Sequence, residues 1–128
     1  ILRRMPLFRK YNDKIVPTLS LAILLSISDD IEILENRKLQ ILNHKISTDE
    51  KSNILLQFYN NRWYKKVSLI DILNNKIPKE MITGKIVLLG SSAVSLHDQI
   101  VVTGGKKIIG VKVHVTMIDN ILNEEYLV

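Results

Sequence analysis

The chain has 128 residues, 46% of them hydrophobic and 24% charged, which fits one globular domain over residues 1–128 and excludes a disordered or fibrous protein. The net charge of +5 invites a nucleic-acid partner, but the basic residues form isolated pairs without a reader motif, so we predict a solvated basic surface and no nucleic acid. The absence of cysteine excludes disulfides, thiolate metal sites and cysteine nucleophiles, and it leaves the compartment open.

The first predicted helix follows Pro17. A wide apolar face through Ile27 is typical of a buried helix with proline in its first turn, ended by Asp29 and Asp30. The uncharged run over residues 15–28 has 14 residues, whereas a membrane-spanning helix needs roughly 20. We therefore expect this run to lie in the protein core.

Alternating apolar and polar residues then predict strands. Residues 31–46 alternate around a polar turn at 35–37, which indicates a β-hairpin with His44 as an exposed strand residue. A further strand is predicted over residues 53–59.

Two short helical turns come next in the sequence. Ser68 is expected to begin an amphipathic turn over residues 69–73, and Pro78 to begin a second turn through Ile82.

The last third combines a predicted central strand with a predicted helix. The fully apolar run 86–89 indicates a strand covered on both faces, and residues 93–105 are expected to be irregular. Residues 110–116 alternate like a strand, but the spacing farther on favours a helix over 113–122 that ends at Asn123. Together these elements predict an α/β fold in which a mixed sheet has flanking helices.

The most suggestive local motif is Gly90-Ser91-Ser92 at the end of the predicted central strand. Loops at the carboxyl ends of strands line ligand crevices in α/β sheets, and small residues let a ligand approach the backbone. A tight turn that needs small residues explains the motif equally well. The motif is neither a phosphate loop nor a dinucleotide fingerprint, so we predict no cofactor.

Catalysis and metal binding have weaker support. The residue types of an acyl-transfer triad are available from Ser91 or Ser92, His97 or His114, and Asp98 or Asp119. The motif Gly-x-Ser-x-Gly is absent, so a serine hydrolase is only a second alternative and no enzyme is predicted. His97, Asp98 and His114 lack the usual metal-ligand spacing, and no metal is predicted. Asp119 and Asn120 are expected to form an ordinary polar helix face.

A set of motifs in order resembles the type-two CHASE domain, the cyclase- and histidine-kinase-associated sensory extracellular domain. Its C-terminal signature is matched by GKIVLLGSSA at 84–93, LHD at 96–98, TG at 103–104, GVKVHV at 110–115 and DNILN at 119–123. Segments in the family's usual order lie earlier, at 4–7, around Tyr11, at 17–22 and at 68–73 before Pro78. The resemblance covers essentially the whole chain and points to the C-terminal part of a larger sensor domain.

The resemblance implies the periplasmic part of a bacterial inner-membrane receptor. Such domains precede transmembrane helices and an output module, which is a histidine kinase of a two-component system or an adenylate or diguanylate cyclase. The chain begins at Ile1 without an initiator methionine, and we expect it to be a piece of a longer protein whose membrane tether lies outside it.

Loop position and family pattern together suggest how such a sensor works. A small ligand of unknown identity is expected at Gly90, Ser91, Ser92, His97 and Asp98, with His114 and Asp119 in secondary positions. A homodimer is expected, because a second copy can cover surface that the missing N-terminal part leaves exposed. A dimerisation or protein-docking module without a small ligand is the main alternative.

Overall fold

A computed structural model of the chain describes residues 3–33, 38–41, 44–58, 64–91, 99–102, 105 and 107–125. The chain divides into two compact units, one of residues 1–58 and 90–128 and one of residues 59–89. The expectation of a single domain stays a prediction, because a division into two compact units does not show whether the units fold cooperatively. The α/β composition is confirmed, and the described strands pair in small antiparallel sheets.

The larger unit contains nine strands and two of the helices in its described part. The elements are β1 (Arg4–Pro6), β2 (Phe8–Tyr11), β3 (Lys14–Pro17), α1 (Leu19–Ile27), β4 (Ile31–Ile33), β5 (Lys38–Ile41), β6 (His44–Ser47), β7 (Asn53–Leu55), β8 (Gln99–Val101), β9 (Lys107–Ile109) and α3 (Gly110–Leu122). The smaller unit contains α2 (Leu69–Leu73) and a 3₁₀ turn at Lys79–Met81.

The β4–β5–β6 meander confirms the hairpin predicted over residues 31–46 and extends it by one strand. Ile33 pairs with Leu39, and Leu39 in turn pairs with Ile46. Leu39, Ile41 and Ile46 are fully buried, so the period-two alternation marks the core face of this sheet. His44 lies in β6 as predicted, and its side chain is outside the described part of the structure.

Helix α1 corrects the predicted role of Pro17. Pro17 is the last residue of β3, and Thr18 is the N-cap of α1, so proline precedes the helix instead of occupying its first turn. Proline fits this position because β3 is an edge strand of a two-stranded sheet, where a missing amide donor is tolerated. The helix ends at Ile27, before Asp29 and Asp30, as predicted.

The core of the larger unit lies where α1 packs against α3. Leu21 and Leu24 from α1 and Met117 and Ile121 from α3 are almost completely buried. The expectation that the whole run over residues 15–28 lies in the core is wrong for this chain by itself, because Leu19 and Ile27 are 51% and 57% exposed. The helix therefore buries Ser20, Leu21 and Leu24, and it leaves apolar side chains exposed at its first and last residues.

The polar turn between β6 and β7 is organised by Asp49. Its Oδ1 accepts the backbone amides of Lys51 and Asn53, each at 2.9 Å, and its Oδ2 accepts Arg4 Nη1 from β1 at 3.2 Å. The Asn53 amide is the main cause that lowers the pKa of the Asp49 carboxyl, with further contributions from Lys51 and Arg4. One side chain therefore fixes both the turn and the pairing of β7 with β1.

This lowered pKa predicts a specific pH dependence of stability. A carboxyl with a lower pKa in the folded state stabilises the protein fully above its unfolded pKa of about 3.9, and the contribution disappears as pH falls through the folded pKa. We expect the Asp49→Asn variant to lose less stability than the parent when the pH falls from about 6 to about 3. Denaturant unfolding at both pH values measures the difference, and equal losses in the two proteins would contradict the role of Asp49.

The strand predicted over residues 86–89 is wrong. These residues form no strand, and Val87 and Leu89 are 59% and 76% exposed. A run of four apolar residues has no alternation, so the sequence does not show whether other parts of the protein cover it. Such a run can therefore be a buried strand or an exposed extended segment. In the described part of the smaller unit no residue is buried, and the predicted turns at 69–73 and after Pro78 are confirmed as α2 and the 3₁₀ turn.

The C-terminal segment departs from the prediction in one further place. β8 and β9 form an antiparallel hairpin, with Ile100 paired to Ile108. All of β8 lies within residues 93–105, which were expected to be irregular. The helix predicted over 113–122 is confirmed as α3, which begins earlier, at Gly110. The alternation at 110–116 is therefore helical, and Val113 and Thr116 share its buried face.

Candidate ligand-binding site

Gly90 lies directly against the first turn of α3. A Cβ atom built on Gly90 would lie 2.6 Å from the Cβ of Val111 and still closer to its Cγ1, which no real side chain tolerates. Gly90 does not have a positive φ, so space and not backbone conformation requires glycine here. The contact places the backbone of Gly90 beside the start of α3.

His114 lies one turn further along α3, where it contacts α1. The Oγ of Ser20 and the Nδ1 of His114 share a hydrogen bond of 2.8 Å. Ser20 is fully buried and His114 is half-buried. Because Val111 and His114 are three residues apart, they lie on the same side of α3. The pair therefore connects the region next to Gly90 with α1.

Ser20 was missed by the sequence analysis, although a signal was present. It is a polar residue within an apolar helix, and it lies four residues before the buried Leu24, on the same helix face. A buried hydroxyl needs a hydrogen-bond partner, and the histidines were the available candidates.

Removing the Ser20 hydroxyl tests this contact. We expect Ser20→Ala to lower the free energy of unfolding by about 1 kcal/mol, the net contribution of a typical hydrogen bond. Chemical denaturation measures the change. The matched control is Ser26→Ala on the exposed side of α1, whose hydroxyl donates only to the Ile23 carbonyl, and it should change stability by less than about 0.5 kcal/mol. Equal effects of both changes would contradict a stabilising contact between α1 and α3.

Asp119 lies apart from His114. The two are five positions apart on α3, which corresponds to about 140° around the helix axis. Its Oδ1 accepts a hydrogen bond from Asn123 Nδ2 at 2.8 Å, at the end of the helix. The structure therefore does not bring Asp119 together with Gly90 and His114, and its secondary ligand role stays a prediction.

Asn120 corrects the expected polar face. The side chain is fully buried; Gln57 N donates to its Oδ1 at 2.8 Å, and its Nδ2 donates to the Gln57 carbonyl at 3.2 Å. The buried stripe of α3 runs through Val113, Met117 and Asn120, so helical spacing places this amide on the core side. Asn120 holds the chain that follows β7 and is a structural residue.

The other predicted site residues, Ser92, His97 and Asp98, lie outside the described residues, so their role also stays a prediction. Within the described ranges, no group of three or more metal-ligating side chains occurs. The helices in those ranges are too short or too polar to cross a membrane.

The sequence model of the CHASE2 domain family matches residues 1–128, which is the entire chain. The chain belongs to the CHASE2 family. The resemblance found in the motifs is thereby confirmed. Searches of curated proteins and of solved structures found no match. CHASE2 domains are extracellular sensory domains of signalling receptors, so the chain is a sensory domain in signal transduction.

Proposed function

We propose that this CHASE2 domain is the periplasmic sensory region of a bacterial inner-membrane receptor. Segments outside the chain hold it to the membrane, and its state controls a cytoplasmic histidine kinase or an adenylate or diguanylate cyclase. The observation that carries the proposal is the family match over all 128 residues. The domain makes and breaks no bond in this scheme.

The proposed signal is a small polar ligand bound between the loop that begins at Gly90 and the first turns of α3. Ser91, Ser92, His97, Asp98 and His114 offer it hydroxyl, imidazole and carboxylate groups. The close approach of Gly90 to Val111 supports this placement, because it brings loop backbone and helix start together.

The contact between Ser20 and His114 supplies a route from this site to α1. A ligand that changes the position of His114 also changes its hydrogen bond to a fully buried serine in α1. A ligand shifts a receptor between two states only as far as its affinities for those states differ. We propose that one state keeps the Ser20 contact and that the other weakens it.

Cysteine labelling tests the proposed location. The chain has no cysteine, so Lys79→Cys introduces one exposed thiol into the full receptor. A membrane-impermeant maleimide should label this variant in cells whose outer membrane is permeabilised and whose inner membrane is intact. The receptor without the substitution is the control for other cysteines. Labelling only after lysis of the inner membrane would contradict the periplasmic location.

A dimerisation module is the second candidate, and the exposed apolar side chains of α1 favour it. Helix α1 contains no charged residue, yet three of its apolar side chains are exposed: Leu19 by 51%, Leu25 by 38% and Ile27 by 57%. Exposed apolar side chains grouped on one element are typical of protein interfaces. We propose that a second copy covers these side chains in a homodimer, and that ligand binding alters the pairing.

A further inference from the structure

The β2–β3 hairpin is fixed at its base and exposed toward its turn. Leu7, just before β2, is fully buried, and its amide donates to the Ser52 carbonyl at 2.9 Å. The amide and the hydroxyl of Thr18 both donate to the Leu7 carbonyl at 3.0 Å. The turn residues Asn12 and Asp13 both have positive φ, which is the conformation of the tight two-residue hairpin turn. The hairpin is therefore held in one geometry from base to tip.

One face of this hairpin combines apolar and basic side chains. Arg9 pairs with Val16 and Tyr11 pairs with Lys14, and directly opposed residues point to the same side of a sheet. All four are exposed, Tyr11 by 70% and Val16 by 47%. Neither strand contains an acidic residue, and the one acidic residue of the hairpin is Asp13 in the turn. We call Arg9, Tyr11, Lys14 and Val16 the hairpin face.

The chemistry of this face matches the surface of an anionic bilayer. Tyrosine is favoured at the level of the lipid headgroups, where its ring is in apolar surroundings and its hydroxyl is hydrated. Lysine and arginine close to the surface are attracted by anionic lipids. A second copy of the chain fits less well, because two identical faces would bring Arg9 and Lys14 against the same cations.

We propose that the hairpin face binds anionic phospholipid headgroups and orients the domain on the membrane surface. This inference goes beyond the ligand site at Gly90 and does not depend on it. Loss of vesicle binding would leave the response to a small ligand intact, so the two proposals fail separately.

Vesicle sedimentation of the purified 128-residue chain tests the inference. The probes are vesicles of phosphatidylcholine alone and of phosphatidylcholine mixed with phosphatidylglycerol. The charge variant is Arg9→Glu with Lys14→Glu, and the apolar variant is Tyr11→Ser with Val16→Thr. The matched control is Lys79→Glu with Lys85→Glu, which changes the net charge by the same amount at exposed positions of the smaller unit. Thermal unfolding verifies that each variant is folded.

The chain should bind the anionic vesicles, and added salt should weaken the binding because it screens exposed charges. The charge variant should reduce the partition coefficient by at least about tenfold, since each cation near the surface contributes roughly a fivefold change and the variant removes two of them. The apolar variant should reduce it severalfold, and the control should bind like the parent. Equal binding to neutral vesicles, an equal loss in the control, or no binding to either vesicle would overturn the proposal. So would a dimer of the parent that the charge variant dissociates, because the face would then belong to a second copy.

Discussion

Replacing Asn120 with alanine should lower the free energy of unfolding by about 2–3 kcal/mol, because a buried backbone group without a partner costs about 1–3 kcal/mol. The Asn120 amide is fully buried, and it satisfies both the N–H and the carbonyl of Gln57. Denaturant titration of parent and variant measures the change. A loss of this size would make Asn120 one of the strongest single contributors to the stability of the larger unit.

Two further variants separate the hydrogen bonds from simple loss of volume. Asn123→Ala, on the exposed end of the same helix, should cost about 0.5 kcal/mol or less. Asn120→Asp keeps the size of the side chain but removes the donor to the Gln57 carbonyl, and it buries a carboxyl. Burial disfavours the charged form, so this variant should be at least as unstable as Asn120→Ala at neutral pH and should recover stability as pH falls. Equal stability of the Asn120 and Asn123 alanine variants would contradict the assignment.

Replacing Gly90 with alanine should also be strongly destabilising. The added methyl group overlaps Val111, and overpacking of this kind typically costs about 1–3 kcal/mol. Thermal or denaturant unfolding measures the loss. If the Gly90–Ser91 backbone forms one wall of the ligand site, Gly90→Ala should also lower the affinity of the domain for its ligand.

A double-mutant cycle with Val111→Ala shows whether the overlap is the cause. Trimming Val111 removes Cγ1, the atom nearest to the new methyl group, together with Cγ2, but it leaves the Val111 Cβ at 2.6 Å. The double variant should therefore recover part of the stability and not all of it. Gly105→Ala is the matched control. Gly105 has a φ of +76° and open space around it. Any loss of stability in Gly105→Ala therefore comes from backbone strain, and it should show no coupling to Val111→Ala. The absence of coupling in the Gly90 cycle, or full stability of Gly90→Ala, would refute the close approach.

Local patterns predicted those parts of the fold that depend on neighbours in sequence. The alternation around residues 35–37 gave the correct hairpin, and helical spacing gave α3 with its end near Asn123. The β1–β7 pair was not found, because it joins segments almost 50 residues apart and each strand has only three residues. The apolar run at 86–89 misled because composition alone does not show what covers a segment.

The candidate site was predictable in part for the same reason. Gly90 was chosen as a small residue in a loop, and the structure supplies the cause, which is its contact with Val111. His114 was named without its partner, because the hydrogen bond to Ser20 spans 94 positions of the sequence. Asn120 was assigned to the solvent because polarity was given more weight than its place in the buried stripe of α3.

The most direct test of the sensory account is the thermal stability of the purified chain across a library of metabolites, with the oligomeric mass recorded beside it. A ligand that binds only the native state must stabilise that state by mass action. The account predicts a reproducible rise of several degrees with one class of small polar compound, and a smaller rise in a variant that carries Ser91→Ala, Ser92→Ala and Asp98→Ala. A flat response from a stable dimer would contradict ligand sensing at this site and would favour a dimerisation module.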